Sequence, residues 1–157
     1  VFKIKDKQEI MDIQRYLDNY FQSKDMPFIV GTKVVQNLFS NSDVLQSGKV
    51  HFFCDPIQRR PTRSKQGITT GYNATINFCL CVASTLDMPY MNETNQTIDN
   101  KYTKNIEPLI TVWNGIVKDF GCGGFDISNE SYVDAINIKD VNFDGIIGTV
   151  TLTSYDA

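Results

Sequence analysis

Between residues 7 and 22 the side chains Ile10, Ile13, Tyr16, Leu17, Tyr20 and Phe21 recur at helical spacing on one face, with Lys7, Asp12, Arg15 and Asp18 on the other. A helix with one apolar stripe has to bury it. Because the polar face mixes both signs of charge, packing on a sheet is expected instead of residence on a membrane surface. Asp6 followed by Glu9 has capping-box spacing, which places the helix start near residue 7. The same period returns over residues 106–120, where Ile106, Leu109, Ile110, Trp113, Ile116, Val117 and Phe120 share a face. Pro108 fits the first turn of that helix, Gly121 is placed to end it, and the run Gly121, Cys122, Gly123, Gly124 predicts a sharp exit.

The chain between and after these stripes reads as β structure. Residues 28–39 contain FIVGTKVV, a β-branched stretch expected to form a first strand or an edge segment, followed by a polar turn over 41–48. Residues 49–57 and 68–84 are two β-rich runs joined by the loop 58–67, and together they predict a long antiparallel hairpin with a projecting connection. Residues 85–105 are polar and rich in Asn and Thr, without either period, and predict an extended surface loop. Residues 135–143, the turn signal Asp144-Gly145 and residues 146–155 predict a terminal hairpin or a long bulged strand. With 157 residues, no internal repeat and no linker, the expectation is one domain over 1–157. Its class is α+β: a mainly antiparallel sheet with a long β-hairpin, packed by an N-terminal and a second amphipathic helix.

Composition narrows the partners. A formal net charge of −3 gives the molecule no overall field that would draw it to nucleic acid or an anionic membrane. No apolar run approaches the roughly 20 residues needed to span a bilayer, and VFKIKDKQEI lacks the apolar stretch of a signal peptide. A soluble chain without a membrane partner is expected.

Candidate chemical sites fall one by one. Asp140, Asn142, Asp144 and Gly145 match the first half of a calcium loop, but its twelfth position, where a bidentate Glu is needed, is Thr151. A hairpin turn is the simpler expectation. The four cysteines Cys54, Cys79, Cys81 and Cys122 have no metal-site spacing; Cys79 and Cys81, two apart on a strand, predict small core residues on one face in a reducing compartment. His51, the only histidine, has no nucleophile or second ligand near it in sequence and predicts a structural role. The glycines at 121–124 follow a helix, whereas phosphate-binding loops precede one. No catalytic residue, cofactor site or metal site is therefore expected, and the chain does not read as an enzyme.

What remains is surface. Arg59, Arg60, Arg63 and Lys65 lie within the predicted loop 58–67 and form a candidate interaction loop for an acidic partner or a nucleic-acid backbone; without an interleaved aromatic residue, base stacking is not expected. Four N-x-[ST] sequons, at Asn73, Asn92, Asn95 and Asn129, together with the even cysteine count, keep a secreted or surface binding module as the alternative.

The order of elements over residues 7–155 resembles that of phage tail terminator and tail-completion (head-tail joining) proteins. The matching features are the opening amphipathic helix, the long hairpin with its basic loop at 58–67, the helix at 106–120 and the closing segment VNFDGIIGTVTLTSY. The resemblance implies a structural virion subunit without enzymatic activity. It implies self-association into a ring, usually a hexamer, at the tail end or head-tail junction, with tail tube and head-connector proteins as partners. Localisation would be the virion, and the host cytoplasm during assembly. It also implies non-specific DNA backbone contact in the lumen.

Overall fold

The computed structural model describes residues 12–32, 49–83, 89–90, 100–138 and 143–155, the side chains of Asn137 and Tyr155 excepted. The Asp6/Glu9 cap, the polar turn 41–48 and the sequons at Asn92 and Asn95 lie outside the described residues.

Helix α1 spans Ile13–Ser23 and buries Ile13, Leu17 and Phe21, three members of the expected stripe. It starts later than the spacing predicts. Asp12 has φ −56° and ψ 139°, a conformation that cannot continue a helix from residue 7, and its carboxylate accepts the Gln14 N–H at 3.2 Å as an N-cap. Strand β1 (Phe28–Val30) then pairs in parallel with β2 (His51–Cys54) and is an edge of the sheet among the described residues; residues 33–39 of the predicted first strand or edge segment lie outside them.

After β2 the Asp55 N–H donates to Asn77 O at 3.0 Å, and the chain resumes as β3 (Gln58–Arg63). Strand β4 (Thr69–Ala83) is long enough to pair antiparallel with both, with β3 along Thr69–Thr75 and with β2 along Phe78–Cys81. The predicted hairpin is present but its predicted loop is not: residues 58–63 are strand. The turn is confined to residues 64–68, where Ser64 N–H donates to Ile68 O at 2.8 Å and Gly67 takes φ +80°. Pro61 sits within β3, which is compatible with an edge position, where a missing N–H breaks no central ladder.

The polar stretch also departs from expectation at its end. Lys101 is helical, a π-helical turn covers Tyr102–Ile106, and α2 (Glu107–Cys122) follows, burying Leu109, Trp113, Ile116 and Phe120. The N–H groups of Lys101 and Tyr102 donate to Pro89 O and Tyr90 O at 2.8 and 2.9 Å, which ties the helix start to the polar segment. Helix α2 runs through Gly121 instead of stopping there; Gly123 N–H closes on Asp119 O at 2.9 Å, and Gly124 at φ +95° makes the exit.

Strands β5 (Asp126–Ile138) and β6 (Phe143–Tyr155) form the closing antiparallel pair. Asp144-Gly145 is not its turn. Both residues lie within β6, opposite Val82 and Cys81 of β4. The glycine answers a different requirement, since a Cβ there would overlap Leu80 O and the Cβ of Cys81.

The six-stranded sheet has the order β1-β2-β4-β6-β5, with β3 beside β4 in line with β2. One face carries Phe52, Cys54, Tyr72, Ala74, Ile76, Phe78, Leu80, Ile146, Val150 and Leu152 against α1 and α2. At the centre of this core Phe78 stacks on Trp113 at 4.0 Å, and Phe21 stacks on Phe52 at 4.4 Å. The opposite face holds a smaller cluster of Phe53, Cys79, Cys81 and Phe143 at one end. Cys79 and Cys81 thus share a face. Cys54, Cys79 and Cys81 are buried and Cys122 is exposed, and no disulfide forms among the described residues.

Candidate interaction surface

Beyond residue 57 the sheet narrows to four strands, β3-β4-β6-β5, with β3 and β5 as its two edges among the described residues. The registers line up across all four. One transverse row runs Arg60, Asn73, Thr153, Asp126, and the next runs Arg59, Ala74, Leu152, Ile127. Directly opposed residues share a face and neighbours along a strand alternate. The Arg59 row therefore lies on the helix-covered face with buried Ala74 and Leu152, and the Arg60 row on the face away from the helices.

This alternation sets Arg59 and Arg60, two of the four predicted basic residues, on opposite faces of the sheet. Arg59 reaches α1, where its Nε and Nη2 donate to the two oxygens of Asp12 at 2.7 and 2.9 Å. The bidentate pair holds the Asp12 carboxyl below the usual carboxylate range, through the side-chain hydrogen bond first and against a smaller opposing effect of burial. Arg63 is folded back on the hairpin turn, with Nη1 3.1 Å from Thr69 Oγ1 and 3.3 Å from Gly67 O. Arg60 and Lys65 are exposed and have no ion-pair partner among the described residues. Every residue of β3 is exposed, so the strand is held by its ladder with β4 and by the Arg59 clamp.

The other edge carries the opposite sign. Asp126 and Glu130 of β5 are exposed and likewise lack an ion-pair partner among the described residues. Asn129 takes φ +51° at the bulge between Ser128 and Ser131, so its sequon sits on a kinked strand edge. Asp134 accepts a hydrogen bond from the Tyr90 hydroxyl. Between the edges the open face is polar, with Thr153 Oγ1 donating to Asn73 Oδ1 at 2.7 Å and Thr75 Oγ1 lying 3.4 Å from Thr151 Oγ1. The Asn73 sequon is thereby built into a central strand. Further along, the cross-strand pair Val133 and Ile147 is exposed to 67% and 40%, an apolar spot unusual for a face open to water.

Other polar side chains are enclosed instead, among them Lys101, Asp144 and His51. Lys101 Nζ donates to Asp144 Oδ1 at 3.1 Å, Asn105 Nδ2 donates to Asp144 Oδ2 at 3.0 Å, and the two charged side chains are exposed to only 1% and 0%. A pair so sealed serves the packing of α2 on β6 and offers no reactive surface. His51 is also buried; its Nδ1 lies 2.8 Å from Lys49 O, its Nε2 has no hydrogen-bond partner among the described residues, and burial lowers its pKa from the ordinary value. Among the described residues no three His, Cys, Asp or Glu side chains converge as metal ligands would. A surface groove of about 670 Å³ lies between α1 and β1, but the charges lining it are internally matched, Arg15 with Asp18 at 3.9 Å and Asp12 with Arg59.

Arg60 and Lys65 are singled out from the sequence, and Asp126 and Glu130 on the opposite edge are not. Asp126 and Glu130 lie in a polar run whose strand character shows only in its pairing with β6. No helix among the described residues is long and apolar enough to cross a membrane. Neither a protein-family model nor a curated protein sequence matches the chain.

Proposed function

We propose that this protein is a structural subunit that self-associates head to tail into a ring, of the kind that completes the tail of a tailed phage at its end or at the head-tail junction. The observation that carries this reading is the four-stranded end of the sheet, whose two edges are exposed, different from each other and opposite in charge. A closed ring needs a heterologous interface, one patch meeting a different patch of the next copy. A molecule whose complementary patches lie on opposite edges of one rigid sheet meets that need without rearrangement. The hairpin β3–β4, clamped to α1 through Arg59 and Asp12, supplies an extension already ordered for contact.

The virion assignment adds the identity of the neighbours: tail tube and head-connector proteins along the ring axis, and DNA passing through the lumen. Lys65, exposed at the hairpin turn, is a cation available for backbone contact there. Size-exclusion chromatography with in-line light scattering tests the reading. One discrete multiple of the chain mass at high concentration is expected, and a monomer at every concentration would overturn it.

A further inference from the structure

Strands β3 and β6 run in one direction and β4 and β5 in the other, because each successive pair across the four-stranded end is antiparallel. If a second copy is brought up by rotation about an axis along the strands, its β5 arrives beside β3 running the opposite way. The antiparallel pattern then continues across the junction without a break. Pure rotation also keeps each transverse row at its own height. The row Arg60, Asn73, Thr153, Asp126 of one copy therefore runs into the same row of the next, and Arg60 meets Asp126.

We infer that β3 of one subunit and β5 of its neighbour, a second copy of this chain, form the subunit interface, with Arg60 facing Asp126 across it and Glu130 adjacent. This inference rests on the ring reading and specifies its contact. The charges choose it over the two-fold alternatives. Pairing β3 with β3 would crowd Arg60 and Arg63 against their own copies, and pairing β5 with β5 would do the same to Asp126 and Glu130. Only the unlike edges neutralise both. Pro61 removes one donor from the first edge and the bulge at Asn129 and Glu130 interrupts the second. Backbone pairing is thus confined to residues 58–60 against 126–128, and the charged side chains carry the selectivity.

The test is a charge exchange on the full chain, read by light scattering across a concentration series. Arg60→Glu and Asp126→Lys each alter an exposed residue and should leave the circular dichroism spectrum unchanged. Each alone should weaken association by about tenfold or more, because like charges then face each other. An equimolar mixture of the two variants should assemble again as an alternating ring. At every second junction the introduced glutamate of one variant meets the introduced lysine of the other, and the remaining junctions keep the original pair of Arg60 and Asp126. If the unaltered protein assembles and both variants assemble equally well, or if the mixture remains as monomeric as its components, this pairing is wrong and the ring reading stands. If the unaltered protein is a monomer throughout, the ring reading fails and takes the pairing with it.

Discussion

The ammonium of Lys101 and the carboxylate of Asp144 meet at 3.1 Å in a space where neither side chain is more than 1% exposed to solvent. The contact joins the start of the helical region at Lys101 to strand β6, across 43 residues of chain. Removing one charge takes from the other its ion-pair partner at 3.1 Å, which is costly for a buried ion. Lys101→Met should therefore destabilise the fold by about 3–5 kcal/mol in urea denaturation. Adding Asp144→Asn should recover much of that loss, because the amide oxygen still accepts from Asn105 and neither position of the pair then carries a charge. Equal stability of the single and double variants would contradict this account.

Asp12 serves two partners, the α1 N-terminus and Arg59. Asp12→Ala should cost about 1 kcal/mol from the lost cap. Asp12→Asn keeps a capping oxygen, so its smaller loss isolates the ion pair, which at this exposure contributes no more than about 1 kcal/mol. Since the folded-state pKa of Asp12 is depressed, the pair's contribution is present above the unfolded carboxylate value and lost as pH falls through the folded one. Acid titration of stability should show a difference between wild type and Asp12→Asn at neutral pH that closes at low pH.

His51 titrates in the opposite sense to a salt-bridged histidine. Burial favours its neutral form, so below the ordinary histidine value the unfolded chain binds a proton that the folded chain resists. Stability should fall as pH drops below about 6.5, with a slope from this group of at most about 1.4 kcal/mol per pH unit. His51→Phe, which keeps the ring stacking with Phe53 and Phe143, should remove that slope. A slope unchanged in the variant would assign it to other groups.

Gly145 is held by sterics, as an added Cβ would strike Leu80 O and the side chain of Cys81. Gly145→Ala should destabilise the fold by about 1–3 kcal/mol or more, as overpacking against backbone does, and lower the thermal midpoint accordingly. Gly121→Ala, where a Cβ meets nothing within 4 Å inside helix α2, should be neutral or stabilising. Parity of the two variants would contradict the close-approach explanation.

Periodicity in sequence records burial, and its successes and failures here follow that rule. Ile13, Leu17 and Phe21, like Leu109, Trp113, Ile116 and Phe120, face one core and were legible as stripes. The strand character of β4 was legible as a β-rich run, and Cys79 and Cys81 as one face of it, opposite the face that Ala74, Ile76, Phe78 and Leu80 turn to the helices. Strand β3 is exposed at every position, so QRRPTR carries no alternation and reads as a loop. The start of β5 is masked by its polar edge residues in the same way. Lys101 and Asp144 were hidden for a different reason, as each lies in a polar local context and only their contact reveals them. The candidate surface thus occupies the strands with the weakest pattern. Its basic half was legible from charge alone, and its acidic half was not.

The central claim is that the two edges of one sheet meet between copies. It is tested most directly by the light-scattering mass of an equimolar mixture of Arg60→Glu and Asp126→Lys chains, at a concentration where each alone, weakened about tenfold or more, no longer assembles. Recovery of the wild-type multiple of the chain mass is predicted. A mixture that stays at the mass of a single chain, beside a wild-type protein that assembles, would contradict it.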